Sequence, residues 1–257
     1  MKIFILCGGY GSRLDHEGLL KAKPMVKIGP NPVLIHIMQN YLDQNYDEFV
    51  LCLGNKKETI INYFLKDKKK KTKIIFKKNN HIKIKYNNLG RWITIDMIDT
   101  GKKSGTGGRI KMAYNKLNLK NDFMMTYGDG LCNVNIKKLL TLHNNKKSLI
   151  TLTAVRPKQR YGVIKIQNNK ILYFDNEKKK SDVYINGGFM VVSKNIIKYI
   201  KSKKTMFEKE PLNKILKQKK LYAFKHNGFW ESLDTIKDKM LLNSMYKKNK
   251  FLWKFKR

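Results

Sequence analysis

The chain has 257 residues and is 42% hydrophobic and 11% aromatic, enough for a sizeable core, which excludes a disordered protein. Its 55 basic and 19 acidic side chains give a formal charge of +36, but lysine carries most of it. No apolar run reaches the roughly 18 residues of a membrane helix, and three distant cysteines without a C-x-x-C pair exclude a disulfide framework.

In chain order, "KIFIL" reads as a short buried strand. "PVLIHIMQNYLDQ" places Val33, Leu34, Ile37, Met38, Tyr41 and Leu42 on one helical face, with Pro32 at its start. "EFVLCLG" is a second strand, "KETIINYFLK" a second helix and "TKIIFK" a third strand. "WITIDMID" is strand-like, "GGRIKMAYNKL" helical, and "DFMMTYGDG" a buried strand ending in a glycine turn. "IKKLLTLHNN" is a further helix. The second half packs strands closely: "SLITLTAVR", "YGVIKI", "KILYFD" and "YINGGFMVVS", with a hairpin turn at Asn168-Asn169. Helices return at "EKEPLNKILKQ" and "DTIKDKMLLNSMYKK". Alternating strands and helices predict a doubly wound, Rossmann-like α/β sheet, mostly parallel, with a smaller antiparallel extension. Without a linker or repeat, residues 1–257 read as a single domain.

Ligands of such sheets collect at the carboxyl ends of strands, where two glycine stretches fall. "GGYGSR" carries Gly8, Gly9, Gly11, Ser12 and Arg13. It fits neither the Walker nor the Rossmann pattern. Glycines let main-chain N–H groups touch phosphates, and Arg13 offers a planar fork to their oxygens. The alternative is a plain turn. "KAKPM" follows, with Pro24 favouring an extended segment that carries Lys21 and Lys23. Asp129 of "YGDG" suits Mg2+ or a turn cap. Asp234 of "FWESLDT" suits a second metal ligand or a helix N-cap. The five histidines form no zinc pattern, and no Ser-His-Asp or Cys-His signature is present.

In order and separation, "LCGGYGSRL", "KAKPM", "TGGR", "YGDG", "INGGF" and "FWESLDT" resemble the sugar-nucleotide pyrophosphorylases over nearly the whole chain. "TGGR", "YGDG" and W-x-x-x-D-T point to the cytidylyl branch of that family. The resemblance implies a nucleotide-diphospho-sugar transferase fold. It implies transfer of CMP from CTP to glucose 1-phosphate, releasing pyrophosphate with Mg2+, with the same chemistry on another nucleotide or sugar 1-phosphate as the alternative. It also implies roles by residue: Gly8, Gly9, Gly11, Ser12 and Arg13 on the triphosphate, Lys23 at the α-phosphate, and Asp129 and Asp234 on Mg2+. Thr106, Gly107, Gly108 and Arg109 would lie near the base and its phosphates. Glu177, Lys178 and Asn186 would hold the sugar phosphate. The chain departs from the family at Cys7 (usually alanine), Ser12 (threonine), Ala22 and Lys179 (both proline).

The charge admits another reading, a nucleic-acid-binding protein, but no helix-turn-helix, RRM or zinc-finger pattern supports it. Lysines scattered among asparagines and isoleucines fit an AT-rich codon bias, and runs such as Lys68–Lys71 and Lys178–Lys180 read as solvated. The expected protein is cytoplasmic, with no membrane or specific nucleic-acid partner. The family's oligomers imply homo-oligomerisation as an option.

Overall fold

The computed structural model describes residues 1–9, 21–66, 72–88, 90–157, 163–167, 170–175 and 183–255. The strands run in chain order β1 (Ile3–Cys7), β2 (Lys27–Ile28), β3 (Asn31–Pro32), β4 (Glu48–Leu53), β5 (Thr72–Lys78), β6 (His81–Asn88), β7 (Arg91–Asp99) and β8 (Phe123–Tyr127). They continue as β9 (Gly130–Cys132), β10 (Ile150–Val155), β11 (Val163–Gln167), β12 (Lys170–Asp175), β13 (Ile185–Val192), β14 (Leu221–His226) and β15 (Trp230–Ser232). The α-helices are α1 (Val33–Leu42), α2 (Lys57–Leu65), α3 (Thr106–Lys116), α4 (Ile136–Asn145), α5 (Glu210–Lys217) and α6 (Ile236–Lys247).

Among the described residues nine strands share one sheet, in the order β14-β10-β13-β8-β1-β4-β7-β6-β5. The central block β8-β1-β4-β7 is parallel. β1 explains its own central place. All five of its residues are apolar and buried, so it needs cover on both faces. Ile3, Ile5 and Cys7 join a core with α1, α2, α4 and α6, while Phe4 and Leu6 join one with α3 and α5. From β1 the chain steps to β4 and β7 on one side, and β8 then pairs on the other. That reversal leaves a crevice beyond the carboxyl ends of β1 and β8.

The α/β sheet with antiparallel strands matches the sequence expectation, and the structure adds where those strands lie. "TKIIFK" is not reached by a parallel crossover. β5 pairs antiparallel with β6, and β6 with β7, as an edge meander. β6 was not anticipated, although "HIKIKYNN" alternates strictly enough to bury His81, Ile82, Ile84, Tyr86 and Asn88. β13 enters the main sheet antiparallel to both β8 and β10. β11 and β12 form the small antiparallel pair, with Gln167 opposite Lys170. The expected turn at Asn168-Asn169 lies outside the described residues, as do Lys68–Lys71 and Lys178–Lys180. Among the described residues no helix is long and apolar enough to cross a membrane.

Candidate active site

The crevice at the sheet reversal opens as a cleft of about 300 Å³. Gly8 and Gly9 line it from the end of β1, Gly128 and Asp129 from the end of β8, and Thr106 and Arg109 from α3. Lys23 and Pro24 close one side.

Lys23 reaches the cleft through a backbone device that differs from the extended segment expected. Pro24 sits in the first turn of a 3-10 helix, Lys23–Met25, where its fixed φ is compatible and its missing N–H costs nothing. Pro24 then packs on Gly128, where a Cβ would lie 2.6 Å from its ring. The first glycine of "YGDG" therefore seats the K-P-M turn against the strand end that carries Asp129.

That contact brings the Lys23 ammonium between two carboxylates. It donates to Asp129 Oδ2 and to Asp234 Oδ1, each at 2.7 Å. Burial works against the ammonium charge, yet the two carboxylates outweigh it, and the Lys23 pKa stands above the ordinary lysine value. Asp234 is not the cap of α6. Thr235 is, in a capping box with Asp238. The Asp234 carboxylate faces Lys23 instead and accepts a hydrogen bond from Ser232 Oγ at 2.6 Å.

Two carboxylates within 2.7 Å of one nitrogen can also reach one hard divalent cation. Among the described residues no group of three or more His, Cys, Asp or Glu converges. A cation held here would complete its shell with phosphate oxygens and water, a donor set that suits Mg2+. The thiols offer no competing nucleophile. Burial pushes Cys52 and Cys132 up to about 12 and raises Cys7 as well.

Arg109 is 4% exposed, and its guanidinium is spent on carbonyls. It donates to Gly8 O at 3.0 Å, Leu53 O at 3.1 Å, Gly101 O at 2.8 Å and Lys102 O at 3.2 Å, and to Thr100 Oγ1 at 2.9 Å. It thus pins the ends of β1, β4 and β7 together. A Cβ on Gly8 would sit 2.2 Å from this group, so Gly8 makes room for an arginine here, while a Cβ on Gly9 would meet nothing among the described residues. Gly107 and Gly108 do not line the cleft. They lie under the backbone of residues 203–207, where a Cβ at Gly108 would stand 2.0 Å from Lys203 O.

The nucleotidyl transferase profile matches residues 2–249. The chain belongs to the nucleotidyl transferase family. It is 37% identical to glucose-1-phosphate cytidylyltransferase of Salmonella typhi, with 99% of each chain covered. It is 35% identical, at the same coverage, to the probable glucose-1-phosphate cytidylyltransferase of Bacillus subtilis. Its fold is similar to HddC of Yersinia pseudotuberculosis complexed with GMP-PN, with TM-score 0.70, 24% identity, and 95% of this chain and 99% of that chain covered.

In this nucleotidyltransferase, Gly8, Gly9, Lys23, Thr106, Arg109, Asp129 and Asp234 come together around the cleft. Asn186 stands at the start of β13, its Oδ1 accepting from Gly188 N–H at 2.9 Å. Gly11, Ser12, Arg13, Glu177 and Lys178 lie outside the described residues. Sequence reasoning passed over Ser232, which orients Asp234, and over Tyr127 and Glu208. The serine was legible within "WESLD"; nothing in "MFEKE" distinguishes Glu208 from its neighbours.

Proposed function

We propose that the protein transfers a cytidylyl group from CTP to glucose 1-phosphate, yielding CDP-glucose and pyrophosphate. The observation that carries this reading is the Lys23 ammonium held between Asp129 and Asp234 at the sheet reversal. The named substrates rest on relatives at 35–37% identity over 99% of the chain.

The sugar phosphate is already a mostly dianionic nucleophile near neutral pH, its second pKa being about 6. No general base is required. A sugar-phosphate oxygen attacks the α-phosphorus in line as the bond to the bridging oxygen breaks, and pyrophosphate leaves. The protein's task is alignment and charge neutralisation. Asp129 and Asp234 would hold Mg2+, which when bound neutralises phosphate oxygens as a Lewis acid. Lys23, kept charged by its surroundings, would meet the α-phosphate. Gly9, with Gly11, Ser12 and Arg13, would cradle the triphosphate through main-chain and guanidinium donors. Thr106 and Arg109 would border the nucleotide, with Gly107 and Gly108 allowing residues 203–207 to brace them. Asn186, with Glu177 and Lys178, would receive the sugar phosphate. The three cysteines are buried free thiols, which supports a reducing, cytoplasmic setting.

The test is pyrophosphate release with Mg2+, glucose 1-phosphate and each nucleoside triphosphate in turn. Release with CTP alone is expected. Release only with another nucleotide would move the specificity elsewhere within the family. No release with any nucleotide and sugar 1-phosphate would overturn the reading.

A further inference from the structure

We infer that Glu208 is a positioning residue that ties the two walls of the cleft together, and this rests on reading the cleft as the site of nucleotidyl transfer. Glu208 precedes α5, in a stretch that carries none of the sequence motifs. Its carboxylate accepts the Thr106 hydroxyl at Oε2 and the Tyr127 hydroxyl at Oε1, both at 2.6 Å. Hydroxyl donors on an ionised carboxylate make short bonds, roughly twice as strong as neutral ones.

The two hydroxyls belong to opposite walls. Thr106 opens α3 on the rim that Arg109 shares, and Tyr127 ends β8, two residues before Asp129. The backbone around Glu208 is itself fastened to the α3 wall. Gly105 N–H donates to Lys203 O at 2.8 Å, Gly108 N–H to Thr205 O at 3.1 Å, and Phe207 N–H to Thr106 Oγ1 at 2.8 Å. The Phe207 side chain is fully buried below. The carboxylate is thus a fixed arm from the α3 wall to the strand end that presents Asp129. One chain of bonds therefore runs from Tyr127 through Glu208 to Thr106. Burial, and then the Glu208 charge, keep the phenol protonated well above its ordinary range, so Tyr127 remains a donor at neutral pH.

Losing the arm lets the walls relax independently, and small displacements of reacting groups cost large factors in rate. Glu208→Ala is expected to lower kcat by about tenfold or more, with KM moving by less than about threefold, and to lower the melting temperature as two charge-assisted bonds are lost while the protein still folds. Glu208→Gln retains an acceptor for one hydroxyl and a donor for the other, and is expected to recover most of the rate. A folded Glu208→Ala protein with wild-type kcat and KM would overturn the inference. Glutamine failing as badly as alanine would also overturn it, because charge and not position would then be the requirement. Should alanine at 208 prevent folding, Tyr127→Phe and Thr106→Val each remove one bond. Unchanged kcat in both would refute the arm. If wild-type protein releases no pyrophosphate from any substrate pair, the functional reading fails separately. A double-mutant cycle in urea unfolding then decides the bridge. Tyr127→Phe and Glu208→Ala must cost less together than the sum of their separate losses, and additive losses would rule the bridge out.

Discussion

Lys23 joins the two carboxylates of the cleft, each through an ion pair at 2.7 Å. On the proposed reading an ammonium and Mg2+ would compete for Asp129 and Asp234, and Lys23 would then be free to meet phosphate. Lys23→Ala is expected to lower turnover on the order of a hundredfold or more, by analogy with other lost charge-stabilising groups. The same variant should gain more melting temperature from Mg2+ than wild type, since the cation no longer displaces an ion pair. A smaller gain than wild type would argue against the competition. The Lys23 pKa is raised, so its stabilising contribution is complete below the ordinary value of 10.5 and fades only as pH climbs through the folded value. Asp129→Ala should abolish Mg2+-dependent pyrophosphate release while circular dichroism reports an intact fold. The Asp129 side chain is partly exposed and packs in no core, so its loss leaves no cavity. Retained Mg2+ dependence would remove Asp129 from the metal site.

At the scale of elements, the start of α6 shows how a local motif serves the site. Asp238 accepts from the backbone N–H of Thr235 at 2.8 Å and of Asp234 at 3.1 Å, while Thr235 Oγ1 accepts from Asp238 N–H at 3.3 Å. The capping box holds the helix end and the main chain of Asp234 together. Thr235→Ala should cost about 1 kcal/mol in urea unfolding. Turnover should fall by less than about threefold, because the Asp238 carboxylate still grips both N–H groups. A loss of turnover as large as that of Asp129→Ala would mean that the threonine touches the reaction itself. β13 plays a comparable part. Its antiparallel place between β8 and β10 carries Asn186 to the same end of the sheet as Asp129, which a parallel strand there would not do.

For the whole molecule, burial is what makes acid destabilising. His36, His143 and His226 are each held below the ordinary histidine value of 6.5 by burial. A depressed folded pKa means that these groups favour the fold above about pH 6.5 and oppose it as pH falls, when the unfolded chain takes up their protons. The chain already carries +36, and each added proton increases its self-repulsion. The urea midpoint should therefore drop between about pH 7 and about pH 5, and salt should recover part of the loss. A flat profile over that interval would contradict the neutral state of the three imidazoles, two of them buried and one half-buried.

The sequence by itself determined the α/β class, the strand ends that flank the cleft, and the glycine, lysine and aspartate motifs that mark it. Those signals are local, since periodicity, short apolar runs and residue type are written within a few positions. It did not reveal that Arg109 would face carbonyls, that Gly107 and Gly108 would lie beneath another segment, or that Thr235 and not Asp234 would cap α6. β6 was readable in "HIKIKYNN", but its antiparallel pairing with β5 and β7 was not. Only the tertiary structure decided that Lys23 meets both Asp129 and Asp234, residues 106 and 211 positions further along the chain. It alone joined Thr106 to Tyr127 through Glu208. Such contacts depend on how the strand order reverses at β1, and no spacing within the chain encodes which distant side chains that reversal brings face to face.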